Sequence, residues 1–169
     1  MPLLIYGTVL MLAALAESTL GYRLDAVGGG RVNLVLVLVT VWSLVRGAQE
    51  GLLAGLVGGL AMDLMSGTPF GLHTLLLGMI GGATAIGGGT LARGGLALLF
   101  GTAVLTTVAY HGVTVLVLRV LGWDFPGFMH FVNVLVPTIF LNTLAMSFAA
   151  TFARRLDRAL SSWRRLELE

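Results

Sequence analysis

The chain has 169 residues, of which 57% are hydrophobic and only 11% charged, and its mean hydropathy is +0.95. A soluble domain carries about 25% charged residues, so this supply is too small to build a water-facing surface. The composition excludes an ordinary soluble enzyme, a disordered tail and a nucleic-acid-binding module, and it leaves an integral membrane protein.

The net charge is +2, and all ten basic residues are arginines. Five of them, Arg154, Arg155, Arg158, Arg164 and Arg165, lie in the last 16 residues. A basic segment beside a membrane reads as a cytoplasmic anchor rather than a nucleic-acid site. There is no cysteine, so neither a disulfide nor a thiolate metal site can form.

The apolar runs predict an all-α bundle of six transmembrane helices over residues 1–153, followed by a basic tail over 154–169. Span one covers residues 3–20 and carries Glu17. It resembles a secretory leader, but no basic residue precedes the apolar run, so it reads as an uncleaved first span. A loop with three consecutive glycines leads to span two at residues 32–45, rich in Val and Leu. The polar break Arg46-Gly47-Ala48-Gln49-Glu50 separates it from span three, residues 51–65, which contains Asp63. A Ser-Gly-Thr-Pro turn at 66–69 precedes span four, residues 70–86. A glycine-rich linker over 87–95 leads to span five at 96–121. An aromatic stretch over 123–131 then precedes span six at 132–152, with Pro137 inside it.

Spans two and three are short, at 14 and 15 residues. At 1.5 Å per residue each reaches only ~22 Å against ~30 Å of hydrocarbon. Either they continue helically through the polar break or they pack inside the bundle. A five-span arrangement, in which they form a re-entrant pair, is the alternative. Six spans put both termini on one side of the membrane, and the tail marks that side as cytoplasmic.

Gly51, Gly55 and Gly59 recur every four residues, and Asp63 continues the stripe; Gly78 and Gly82 show the same spacing on span four. Small residues at this spacing let two helix backbones approach closely. Asp63 reads in two ways. It is a buried polar link to another helix or a partner chain, or an interfacial carboxylate satisfied by turn N–H groups at Gly67 and Thr68. Arg46 and Glu50 are four apart, a spacing that pairs charges on a helix, although Gly47 between them argues against a regular one. Glu17, Asp63 and His73 fall on one predicted side. Two carboxylates and an imidazole suggest a metal or proton site, and the simpler reading is separate residues, each with its own hydrogen bonds.

Span five carries Thr102, Thr106, Tyr110 and Thr114 at steps of four, with Thr107 and His111 alongside. Threonine hydroxyls readily bond back to their own helix, so tolerated polarity is the simpler reading than a pathway. Asn133 and Asn142 of span six read as inter-helix hydrogen bonds. In the tail, Leu156, Leu160 and Trp163 share one helical face and the arginines occupy the others, which predicts a basic amphipathic surface helix. No HExxH, phosphate loop or clustered Ser/His/Asp set is present, so neither an enzyme nor a cofactor is expected.

Residues 45–73 carry the motifs Val45-Arg46-Gly47, Glu50-Gly51-Leu52-Leu53-Ala54-Gly55-Leu56, Gly59-Leu60-Ala61-Met62-Asp63-Leu64-Met65-Ser66-Gly67 and Pro69-Phe70-Gly71-Leu72-His73. In this order the chain resembles the MreD family of bacterial rod-shape-determining membrane proteins. The resemblance implies a six-helix bundle similar to the substrate-binding subunits of energy-coupling-factor vitamin transporters. It also implies a non-enzymatic scaffold of the cell-elongation machinery. Its partners would be MreC, through a transmembrane helix, together with MreB, RodA and a class B penicillin-binding protein. The alternatives are a small-molecule-binding subunit of a transporter and a channel or proton pathway. The middles of spans one, two and four carry almost no ionisable groups for a pathway.

Overall fold

Apolar runs broken by glycine and proline produce helices and, among the described residues, no strand. The computed structural model describes residues 2–24, 29–86, 91–124 and 127–166, with side chains placed for 6–19, 29–84, 97–124 and 127–153. The helices are α1 (Pro2–Leu24), α2 (Leu34–Arg46), α3 (Ala48–Met65), α4 (Leu72–Ile86), α5 (Leu91–Val120) and α6 (Phe128–Leu166). Among the described residues, two stretches, Ala97–Val120 and Phe128–Ala153, are long and apolar enough to cross a membrane.

α1 runs on to Leu24 and α6 begins at Phe128, each four residues beyond the apolar run, and the boundaries also depart at α3, at α5 and at the end of α6. Gly47 adopts φ 96°, in the left-handed region, and reverses the chain with a single residue. Ala48, Gln49 and Glu50 therefore join α3, which reaches 18 residues or ~27 Å. Glu50 falls in its first turn, where a carboxylate faces the positive end of the helix dipole. α5 begins at Leu91, inside the expected linker, whose residues 87–90 lie outside the described residues. α6 runs unbroken to Leu166, so residues 154–166 prolong the last helix. The predicted amphipathic pattern, with Leu156, Leu160 and Trp163 on one face and Arg154, Arg155, Arg158, Arg164 and Arg165 on the others, lies outside the described side chains.

α2 has 13 residues, ~20 Å, and stays as short as the sequence suggests; it occupies the centre. It packs against each of the other five helices, and nine of its residues are buried. A helix too short for lipid is thereby surrounded by protein. Val35, Leu36 and Val39 meet Leu10 and Ala14 of α1 and Ala54 of α3 in one apolar cluster. Val37, Val41 and Leu44 meet Leu99, Ala103, Met146 and Ala150 of α5 and α6 in a second. Tyr6 stacks on Trp42 with ring centroids 3.8 Å apart and donates its hydroxyl to the Leu38 carbonyl at 2.6 Å.

These contacts fix an alternating arrangement: α1, α3 and α5 run one way, and α2, α4 and α6 the other. One end of the bundle holds Glu17, Asn33, Asp63, His73, Tyr110 and Asn142. The opposite end holds Ser43, Arg46, Glu50 and Gly51.

The tightest interface joins α3 to α4. A Cβ at Gly55 would stand 2.1 Å from the Leu77 carbonyl oxygen, and one at Gly59 would stand 2.4 Å from the Thr74 Cα. A Cβ at Gly51 and one at Gly81 would each strike the other glycine's carbonyl oxygen, at 2.5 and 2.1 Å. The Ser43 hydroxyl of α2 donates to that same Gly81 carbonyl. The two backbones are in direct contact along the helix, and any side chain must push them apart. We expect Gly55→Ala to destabilise the protein by ~2 kcal/mol or more through overpacking. Gly101→Ala, where a Cβ meets nothing within 4 Å, should be neutral or stabilising by up to ~1 kcal/mol through helix propensity. Thermal unfolding of the two variants in detergent checks the pair; equal effects would contradict the packing described.

Candidate functional site

A buried polar network fills the Asp63 end of the bundle, and it is built around helix starts. The first N–H groups of an α-helix have no partner within the helix. α4 follows a Ser-Gly-Thr-Pro turn and a glycine at φ 95°, which supply no side chain of their own to cap it. Asp63, near the end of α3, does so instead. Its Oδ2 accepts from the Gly71 N–H at 3.0 Å, the Thr74 N–H at 3.0 Å and the Thr74 hydroxyl at 2.6 Å. Its Oδ1 accepts from the His73 N–H at 2.9 Å. The residue is only 4% exposed. Asp63 thus links two helices, and its donors are Gly71, His73 and Thr74 rather than Gly67 and Thr68.

The start of α2 is held in the same manner. Asn33 caps it, accepting from the Leu36 N–H at 3.0 Å. Glu17 of α1 accepts from the Val35 N–H at 3.2 Å. Asn142 of α6 accepts from the Asn33 N–H at 2.8 Å and donates to Thr107 of α5 at 3.2 Å. Thr138 accepts from the Arg31 N–H at 3.1 Å. Three helices, α1, α5 and α6, therefore converge on the start of a fourth.

His73 joins the network to α5. Its Nδ1 lies 2.8 Å from the Tyr110 hydroxyl, and its Nε2 lies 3.1 Å from the Thr68 hydroxyl. Thr68 in turn meets Ser66 at 2.7 Å. His111 lies edge-on to Tyr110 with ring centroids 5.3 Å apart. Glu17 and Asp63 serve different helix starts, and no group of three His, Cys, Asp or Glu side chains able to hold a metal occurs among the described residues. Both ring nitrogens of His73 and both oxygens of Asp63 are engaged in holding helices together.

The remaining sequence-predicted residues fall elsewhere. Arg46 Nε lies 3.8 Å from Glu50 Oε2 at the opposite end, and the guanidinium sits 5.2 Å over the Trp42 ring. Gly47 falls between the two helices, yet the pair still meets. Gly51, Gly55 and Gly59 face α4. On α4 the closest backbone approach is at Gly81, whereas a Cβ at Gly78 or Gly82 would meet only Leu56 or Leu52 side chains, at 3.0 and 3.8 Å. Thr102, Thr106 and Thr114 donate to carbonyls of their own helix. Asn133 is exposed.

Sequence reasoning did not single out Asn33, Thr74, Gly58 or Gly81. Asn33 had a local signal, since Asn directly before an apolar run is a preferred helix cap. Gly58 and Gly81 had another: each belongs to a Gly-Gly pair, and the second partner of the pair took the attention. A Cβ at Gly58 would meet Val35 of α2 at 2.8 Å, so the paired glycines of α3 serve two different neighbours. We expect Asp63→Ala to destabilise the protein by roughly 3 kcal/mol, because it strands buried donors. Asp63→Asn should recover less than half of that, since its amide nitrogen cannot accept. Thr74→Val, which removes a single donor, should cost ~1 kcal/mol. Melting curves of the three variants in detergent decide the order; a mild Asp63→Ala would refute the capping role.

No curated protein and no solved structure matches the chain. The family model for the rod shape-determining protein MreD matches residues 2–153. That span contains all of the helix-capping network and the whole α3–α4 interface, and the chain belongs to the MreD family of membrane proteins that determine rod shape.

Proposed function

We propose that this protein is a non-enzymatic scaffold of the cell-elongation machinery. It crosses the inner membrane six times, with both termini cytoplasmic, receives the transmembrane helix of MreC and helps organise peptidoglycan synthesis. The observation that carries the reading is the family match over residues 2–153. The side chains support it. Asp63, Glu17, Asn33 and Asn142 are committed to internal helix starts, while the outward faces of α3, α4 and α6 carry large apolar residues such as Leu64, Leu75, Met79, Phe140 and Phe148. Such faces suit lipid or another helix, with van der Waals packing as the attraction.

MreB, RodA and a class B penicillin-binding protein are further partners in this proposal. The arginine-rich end of α6 would lie near the cytoplasmic filament and anionic lipid. The likeness to energy-coupling-factor substrate-binding subunits also belongs to the proposal and rests on what the family resemblance implies. In it Gly51, Gly55 and Gly59 pack the scaffold internally.

Affinity purification of the tagged chain from its native membrane, with mass spectrometry of what accompanies it, tests the function. A single-span MreC protein with cell-wall synthases is the expected result. Paired ATPases with a membrane coupling subunit would replace the scaffold with a transporter subunit. Topology has its own test, helped by the natural absence of cysteine. A single cysteine at Thr68 or Trp123 should react with a membrane-impermeant maleimide applied from outside, and one at Gln49 should not. The reverse pattern would invert the orientation.

A further inference from the structure

α5 continues ten residues beyond Tyr110, and α6 starts fourteen residues before Asn142. The two helices therefore run on past the starts of α2 and α4. There they and residues 29–31 enclose a cleft of about 580 Å³. Its polar side chains include Arg31 of the loop, His111 of α5 and His130 of α6, and no carboxylate lines it among the described residues. Leu118, Phe131 and Val134 contribute to an apolar wall. Arg31 and His130 are exposed, so the cleft reaches the surface. His111 is the deepest of the three along its helix, and its Nε2 is buried with no hydrogen-bond partner among the described residues. A buried ring nitrogen left unpaired is costly. The two helices that form the walls are the long apolar pair, and neighbouring side chains such as Leu116 and Val136 face outward.

We propose that this cleft binds an anionic amphiphile, a phosphate-bearing lipid whose headgroup meets Arg31, His130 and His111 and whose acyl chain lies along Leu118 and Phe131. A guanidinium suits phosphate because it offers paired donors in a planar fork, and imidazole N–H groups add further donors. Among the described residues no carboxylate lines the cleft to repel a headgroup, and the apolar wall has no use for a free phosphate ion. The volume lies within the range of small-molecule sites and accommodates a headgroup with the first part of a chain. The site goes beyond the scaffold reading and does not rest on it.

The test is thermal unfolding of the purified full chain in a neutral detergent, with phosphatidylglycerol, phosphatidylcholine or inorganic phosphate added. A ligand that binds only the folded state raises the midpoint. Phosphatidylglycerol should raise it by several degrees more than phosphatidylcholine, and inorganic phosphate should leave it unchanged. Arg31→Gln and His130→Gln should each remove at least half of the excess, and Leu118→Trp, which fills the apolar wall, should do the same. His130 stands exposed at the start of α6, so its variant keeps the test open if Arg31→Gln fails to fold. An excess that survives in all folded variants would place the attraction elsewhere, such as the arginines after residue 153, and overturn the proposal. An equal shift from inorganic phosphate, or no excess in the unaltered protein, would overturn it too. Copurification of partners is a separate readout, so either reading can fail alone.

Discussion

A helix that begins inside an apolar medium exposes backbone N–H groups that lipid cannot satisfy. Two helices of this protein begin that way. α4 starts level with Tyr110, about 15 Å short of the end of α5, and α2 starts level with Asn142, about 21 Å beyond the start of α6. The acids and amides of the network answer that one requirement. Asp63 takes three N–H groups at the start of α4, and Glu17, Asn33 and Asn142 take those around the start of α2. The polar end of the bundle is thus a structural joint, made of the only residues that can terminate helices within a dry interior.

The second constraint acts along the length of α3 and α4. Lipid provides no hydrophobic drive for helices to associate, so close packing must supply the attraction. Glycines bring the two backbones into contact over the span from Gly51 to Gly59, and Asp63 fastens the end of the same pair. The carboxylate is directional and sets the register of the hairpin. The glycines are not directional, and they permit the close approach that this register requires. Gly58, one residue out of the stripe, turns toward α2 and α1 instead, which ties the hairpin to the centre.

The number, order and approximate extent of the helices were legible because each apolar run ends in glycine, proline or a charge. The glycine stripe of α3 was equally legible, since its four-residue step places all three residues on one face. Its partner on α4 was not. The choice between Gly81 and Gly82 depends on the antiparallel register, which the Asp63 cap sets across a turn whose geometry no periodicity encodes. Asp63 stood out as a carboxylate in an apolar run, but its donors lie eight to eleven residues away. Glu17 was harder still, because its partner belongs to a helix start beyond a long loop. Side chains that close contacts between distant segments leave no local trace, and the α5–α6 cleft, assembled from three such segments, left none either.

The helices that form the outer walls differ in height. α3 and α4 have 18 and 15 residues, whereas the apolar stretches of α5 and α6 have 24 and 26. In rise these are about 27 and 23 Å against about 36 and 39 Å. In the six-span arrangement proposed above, a bilayer with ~30 Å of hydrocarbon would meet a low wall on one flank and a high wall on the other. Lipid tails would shorten beside α3 and α4, and they would stretch or the protein would tilt beside α5 and α6. In that arrangement the molecule would act as a wedge of unequal height, and the surrounding membrane would inherit a thickness gradient whose direction is fixed by which helices were made long.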